Sequence, residues 1–96
     1  MDRASAIELL ARSKPMLAAR YGVTRLALFG STVRGAARKD SDIDVLVAFD
    51  GPATSERYFG VQFHLEDLFG RPVDLVTEKA LRPELRPFIE KEAVHV

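Results

Sequence analysis

The sequence predicts an α/β fold: a small mixed β-sheet covered by helices, forming one domain over residues 1–96. Two observations carry that prediction. Short apolar runs, Leu26–Phe29 and Val45–Phe49, are bounded by Gly22, Gly30 and the Asp50, Gly51, Pro52 turn, which is the length and punctuation of buried strands. Around and between them lie segments whose apolar residues recur at three and four, and a helix between two strands is the connection that parallel pairing requires.

At the N-terminus, Ala6, Ile7, Leu9, Leu10, Met16 and Leu17 keep a helical rhythm, but Pro15 interrupts the backbone hydrogen bonding. Two helices, or one kinked helix, are expected: about 5–12, then from Pro15 to Tyr21, with Gly22 as the stop. Thr24 to Phe29 is the first strand. Gly30 to Lys39 holds two glycines, a serine, a threonine and basic residues, so a tight turn with a short helix after Ser31 is expected. Asp42 to Phe49 is the second strand, with Val45 to Phe49 buried on both faces. Thr54 or Ser55 caps a third helix that carries Tyr58, Val61, Leu65 and Leu68 and closes at Gly70. Val73 to Thr77 is the third strand, Pro83 to Glu92 the last helix, and Ala93 to Val96 a short edge strand. The second strand should pair with both of the others.

Composition narrows the function. Fourteen Lys and Arg balance fourteen Asp and Glu, so net charge does not favour direct binding to nucleic acid. The balance is uneven along the chain: residues 1–39 carry eight basic and two acidic side chains, and residues 40–96 six basic and twelve acidic. The halves either meet in the fold or define two faces. The absence of cysteine excludes disulfide scaffolds, thiolate metal sites and thiol nucleophiles. No apolar run approaches the roughly 18 residues of a membrane span, and the N-terminus lacks the apolar core of a signal peptide. A soluble, cytoplasmic protein is expected.

The chemistry is concentrated between Phe29 and Val47. Asp42 and Asp44, two apart on a strand, project from one face about 7 Å apart at the backbone. Paired carboxylates repel unless a cation lies between them, and hard divalent ions such as magnesium take oxygen ligands. Gly30 and Ser31, at the end of the first strand, supply a close backbone approach, N–H groups and a hydroxyl suited to phosphate. Arg34 could reach the same anion, a surface ion pair being the alternative. A compact loop makes the first two strands antiparallel and sets this turn beside the carboxylates. The third helix is long enough for a crossover, so the third strand runs parallel to the second and brings Asp74 to Asp42 and Asp44. Three carboxylates opposite a phosphate turn suit two-metal phosphoryl or nucleotidyl transfer. Gly30 to Gly35 has the glycine spacing of a P-loop but lacks its Lys and Ser or Thr. The Asp40, Asp42, Asp44 series lacks the EF-hand glycine and bidentate glutamate.

These residues carry a resemblance. Gly30 and Ser31, ten intervening residues, then Asp42, Ile43 and Asp44 are similar to the signature of the DNA polymerase β nucleotidyltransferase superfamily. More closely, FGSTVRGAARKDSDIDVLVAF and RPVDLVT resemble the minimal nucleotidyltransferase (MNT) family of prokaryotes, over nearly the whole chain. The resemblance implies that Asp42 and Asp44 hold two magnesium ions, with Asp74 joining the one that activates the acceptor hydroxyl. Gly30 and Ser31 would hold the phosphates of ATP or another NTP. It also implies an antitoxin role against a HEPN-type toxin, in some members by adenylylating a tyrosine. Larger members use further domains to hold base and acceptor, so a partner or second subunit should complete the cleft here. The rival readings are an antitoxin that neutralises by binding alone, and a transferase acting on RNA ends or a small molecule. The latter is disfavoured by the zero net charge.

Other residues read more plainly. Asp40 and Ser41 suit a turn, and Arg38 and Lys39 a solvated surface. His64 and His95 lack a second ligand at metal spacing. Tyr58, Phe59, Phe63 and Phe69 are expected to build core packing, with surplus apolar positions available to a partner. Gly60, unfavourable inside a helix by up to about 1 kcal/mol, suggests close packing or a weak point.

Overall fold

The computed structural model describes residues 2–36 and 41–96. In chain order the elements are α1 (Arg3–Tyr21), β1 (Val23–Phe29), α2 (Ser31–Arg34), β2 (Ile43–Phe49), α3 (Ser55–Phe69), β3 (Val73–Thr77), α4 (Arg86–Glu92) and β4 (Val94–His95). The strands form a sheet in the order β3-β2-β1-β4. β1 runs antiparallel to β2 and to β4, whereas β2 and β3 are parallel. The sheet is therefore mixed, with β2 pairing on both sides as the connections dictate. The expectations for Arg38, Lys39 and Asp40 lie outside the described residues.

α1 runs as a single helix through Pro15, so of the two readings, two helices or one kinked helix, the two-helix one is excluded. Ala11, whose carbonyl loses its partner four residues on, and Pro15 itself are both exposed, so water can replace the missing bond. The buried stripe Ala6, Leu10, Ser13, Leu17 passes by on the other side, and Ser13 Oγ donates to Leu10 O at 2.7 Å. Asp2 accepts from Ser5 N–H at the start of the helix, and Gly22 closes it in the left-handed conformation.

α3 buries Val61, Leu65 and Phe69 at intervals of four, between Thr54 and Gly70. Phe59 and Phe63 lie two positions from that stripe, which on a helix is the far side; they are 47% and 60% exposed and stack on each other. They do not build the core as the sequence suggested. Phe69 does, and Tyr58 is half-buried against it. Gly60 is a point of close packing: a Cβ there would overlap the Tyr21 ring.

The last helix begins at Arg86 rather than Pro83, because Pro87 would crowd the Pro83 carbonyl one turn earlier. Glu78–Ala80 forms a single 3-10 turn, capped by Thr77, that the sequence did not signal. β4 is the expected edge strand, two residues long.

Strand alternation divides the sheet into two unequal faces. Ile43, Val45 and Val47 point into the principal core with Leu10, Leu17, Leu26, Leu28, Val61 and Leu65. Ala27, Phe29 and Leu46 point the other way and, among the described residues, form a smaller cluster with Leu81, against which Val76, Ile89 and Ala93 pack. Val45, Leu46 and Val47 are indeed buried on both faces, while Ala48 and Phe49 are half-buried. By the same alternation Asp44 belongs to the thinly covered face. Among the described residues no helix is long and apolar enough to cross a membrane.

Candidate active site

Asp44 is the second residue of the central strand β2 and lies directly between two neighbours. Its register partner on β1 is Phe29, the last residue before the Gly30 turn, and its partner on β3 is Asp74. The crossover thus delivers Asp74 beside Asp44, as topology required. Asp42 is exposed and lies just before β2, so it is one residue outside the strand expected for it.

The neighbours of Asp74 are held by α3. Tyr58 Oη donates to Leu75 O, Gln62 Nε2 donates to Val73 O at 3.1 Å, and Val73 N–H donates to Glu66 Oε2 at 3.0 Å. These bonds satisfy the edge strand on its outer side and fix the two residues flanking Asp74. β3 also ties to the start of β2, where Ile43 N–H donates to Pro72 O at 3.0 Å.

The electrostatics record the crowding of the carboxylates. Asp44 has its pKa pushed up to about 6, first by burial, then by the Asp74 charge and its hydrogen bond with Asp74, then by the Asp42 charge; Arg34 opposes the rise. Tyr58 is also raised, by burial and by Asp74. Among the described residues no group of three His, Cys, Asp or Glu is already arranged to hold a metal ion. The donor set nevertheless fits a hard divalent cation. It offers carboxylate oxygens only, and their mutual repulsion is the cost that a cation would remove.

Gly30 adopts φ 77° and ψ −153°, a region open essentially to glycine. The reason is on its inner side: a Cβ would overlap the Asp44 carboxylate. Sequence reasoning assigned this glycine a close approach to ligand; in the structure its missing side chain makes room for Asp44. α2 follows at once, with Val33 and Arg34 N–H both returning to Gly30 O, which leaves the N–H groups of Ser31 and Thr32 ahead of the first turn. Ser31 is half-buried there.

Arg34 is paired. Its Nη1 donates to both oxygens of Glu92, at 3.1 and 2.9 Å, and the same Glu92 Oε1 accepts from Gly30 N–H at 2.9 Å. The ion-pair alternative for Arg34 is thus realised through Nη1. Glu92, the last residue of α4, was missed as a site residue. Its only sequence signal is an acidic side chain between a helical segment and a terminal strand. Two ion pairs, Arg34–Glu92 and Arg25–Glu78, join the basic N-terminal half to the acidic C-terminal half.

Known proteins share this architecture. The nucleotidyltransferase domain family matches residues 10–96. Protein adenylyltransferase MntA of Thermococcus cleftensis is 36% identical over 88 residues, covering 92% of this chain and 89% of that protein. A structure described as a minimal nucleotidyltransferase is 42% identical with a TM-score of 0.78, covering 98% of this chain and 95% of the other. A chain of the complex between tri-AMPylated Shewanella oneidensis HEPN toxin and MNT antitoxin shares the fold, at 19% identity and a TM-score of 0.59, covering 97% and 66%. Matched nearly end to end by such relatives, the chain belongs to the nucleotidyltransferase domain family and has the fold of its minimal members.

Proposed function

We propose that this protein transfers AMP from ATP to an acceptor hydroxyl, a tyrosine of a HEPN-type toxin, and so acts as the antitoxin of that partner. The observation that carries the reading is the meeting of Asp44 with Asp74, and with the charge of Asp42, beside the Gly30–Ser31 turn. The activity named for the Thermococcus cleftensis relative and the AMPylated toxin named in the Shewanella oneidensis complex support the choice of donor and acceptor.

Each residue has a task in this reading. Ser31, through its hydroxyl and N–H, binds the nucleotide phosphates; Gly30 gives the turn its shape; Arg34 adds positive charge from the end of α2. Asp42, Asp44 and Asp74 would hold two magnesium ions, Asp74 on the acceptor side. When bound, such ions neutralise phosphate charge and lower the pKa of the acceptor hydroxyl. The transfer forms a bond from the acceptor oxygen to the α-phosphorus as the hydroxyl gives up its proton to solvent, and breaks the bond from that phosphorus to the bridging oxygen, releasing pyrophosphate. The thinly covered sheet face leaves the nucleotide open on one side, where the acceptor protein completes the cleft.

Thermal unfolding tests the site directly. ATP with magnesium should raise the melting temperature through binding to the native state, and a chelator should remove the gain. A rise that survives the chelator would count against the carboxylate site.

A further inference from the structure

We propose that Glu92 is a positioning residue of the nucleotide turn, a clamp that holds both ends of α2 in register with the carboxylates; the inference rests on the nucleotide reading of that turn. One carboxylate engages Gly30, immediately before the helix, and Arg34, its last residue. A four-residue helix has too few internal hydrogen bonds to fix its own orientation, so an external tie across both ends decides where Ser31 faces.

The clamp is itself anchored. Separated from Glu92 by Ala93 alone, β4 pairs with β1 through Leu28 and Ala27, Val96 N–H donates to Leu26 O at 3.0 Å, and Lys14 Nζ donates to Val96 O at 2.7 Å. The carboxylate therefore sits on an element fastened to the strand that leads into the turn. Glu92 has 26% of its side chain exposed against 57% for Arg34, so the more fixed partner orients the freer one. Glu92 engages Nη1 of Arg34, and a guanidinium has five N–H donors; among the described residues no hydrogen bond takes Nε or Nη2, which can meet an anion from a fixed position.

Two effects of removing Glu92 oppose each other. Loss of the clamp loosens the turn and the guanidinium, which weakens phosphate binding. Loss of a negative charge reduces repulsion toward a triphosphate, which strengthens it. Glu92 is already charge-paired with Arg34, so the second effect is small and the first decides.

The test measures the dissociation constant for ATP with magnesium on wild type, Glu92→Ala, Glu92→Gln, Arg34→Ala and the Arg34→Ala/Glu92→Ala double variant, with amide exchange at Gly30 as a second readout. Glu90→Ala, which removes an equal charge from the exposed Arg86 pair on the same helix, is the control. Glu92→Ala should weaken binding about tenfold, as expected for losing charge-assisted hydrogen bonds, and Glu92→Gln should weaken it less. Adding Glu92→Ala to Arg34→Ala should cost less than it does alone, because part of the clamp acts through the guanidinium. Gly30 amide exchange should accelerate in Glu92→Ala and not in Glu90→Ala. Unchanged or tighter binding by Glu92→Ala, or fully additive losses, would overturn the proposal. If wild type binds no nucleotide, the proposed function falls; Gly30 exchange then judges the clamp alone, and an unprotected Gly30 amide in wild type refutes it.

Discussion

At Gly30 the backbone conformation and the placement of the Asp44 carboxylate are the same problem. The residue holds φ 77° and ψ −153°, and the Asp44 side chain occupies the space a Cβ would need. Gly30→Ala should therefore destabilise the fold by about 2–3 kcal/mol, the backbone strain being joined by displacement of Asp44. Urea unfolding measures it, and a loss below about 0.5 kcal/mol would mean that the turn relaxes freely. Asp44 itself stores a penalty in the metal-free protein. Its pKa of about 6 lies above the ordinary 3.8, so its contribution favours the folded state below about pH 3.8 and is lost as pH rises through about 6. Asp44→Asn removes that loss. The variant should be more stable than wild type at pH 7, by about 1 kcal/mol after allowing for solvent screening of a half-buried group, and its stability should change less between pH 4 and 7. Denaturant unfolding of both proteins across that range provides the comparison; equal pH profiles would contradict the assigned crowding. The positions of Asp44 and Asp74 were legible because two-residue alternation and a right-handed crossover leave little choice of placement. Glu92 was not, because its partners lie 62 and 58 positions away and nothing local encodes such a contact.

Among the elements, α3 does more than cover the sheet. Its buried stripe packs on the core, while Tyr58, Gln62 and Glu66 hydrogen-bond to β3 on either side of Asp74. Gly60 lets this helix approach α1 closely at Tyr21. Alanine is favoured over glycine in a helix by about 1 kcal/mol, yet overpacking costs about 1–3 kcal/mol, so Gly60→Ala should lower stability despite its better propensity. A higher melting temperature for Gly60→Ala would show that Tyr21 swings aside without cost. Periodicity located α3 and its caps because Thr54, Gly70 and the Tyr58, Val61, Leu65, Leu68 spacing agree locally, although the buried stripe ends on Phe69 rather than Leu68. It misplaced Phe59 and Phe63, since aromatic character was weighed without the phase that sends them to the opposite side. In α1, Pro15 left two helices or one kinked helix open because propensity is local; the single helix depends on an exposed carbonyl and on a buried stripe that continues past it.

For the whole molecule, the uneven charge of the two halves resolves into contacts that close the fold, Arg25 to Glu78 and Arg34 to Glu92, while the carboxylates of the site stay together at one end of the sheet. The order β3-β2-β1-β4 places Asp74 on one side of Asp44 and the Gly30–Ser31 turn on the other, on a face that the described residues cover thinly. Such an arrangement suits a protein whose acceptor supplies the missing wall. Asp74, exposed on the edge strand, can be neutralised with little effect on the fold. Asp74→Asn should damage transfer more than ATP binding, and should leave association with the partner unchanged. The most direct measurement incubates wild type and Asp74→Asn with ATP labelled at the α-phosphate, magnesium and the HEPN-type partner, following label on the partner and formation of the complex. Transfer by wild type alone, with complexes formed by both, is the predicted result; neutralisation of the partner by both proteins with no label transferred by either would contradict the catalytic account.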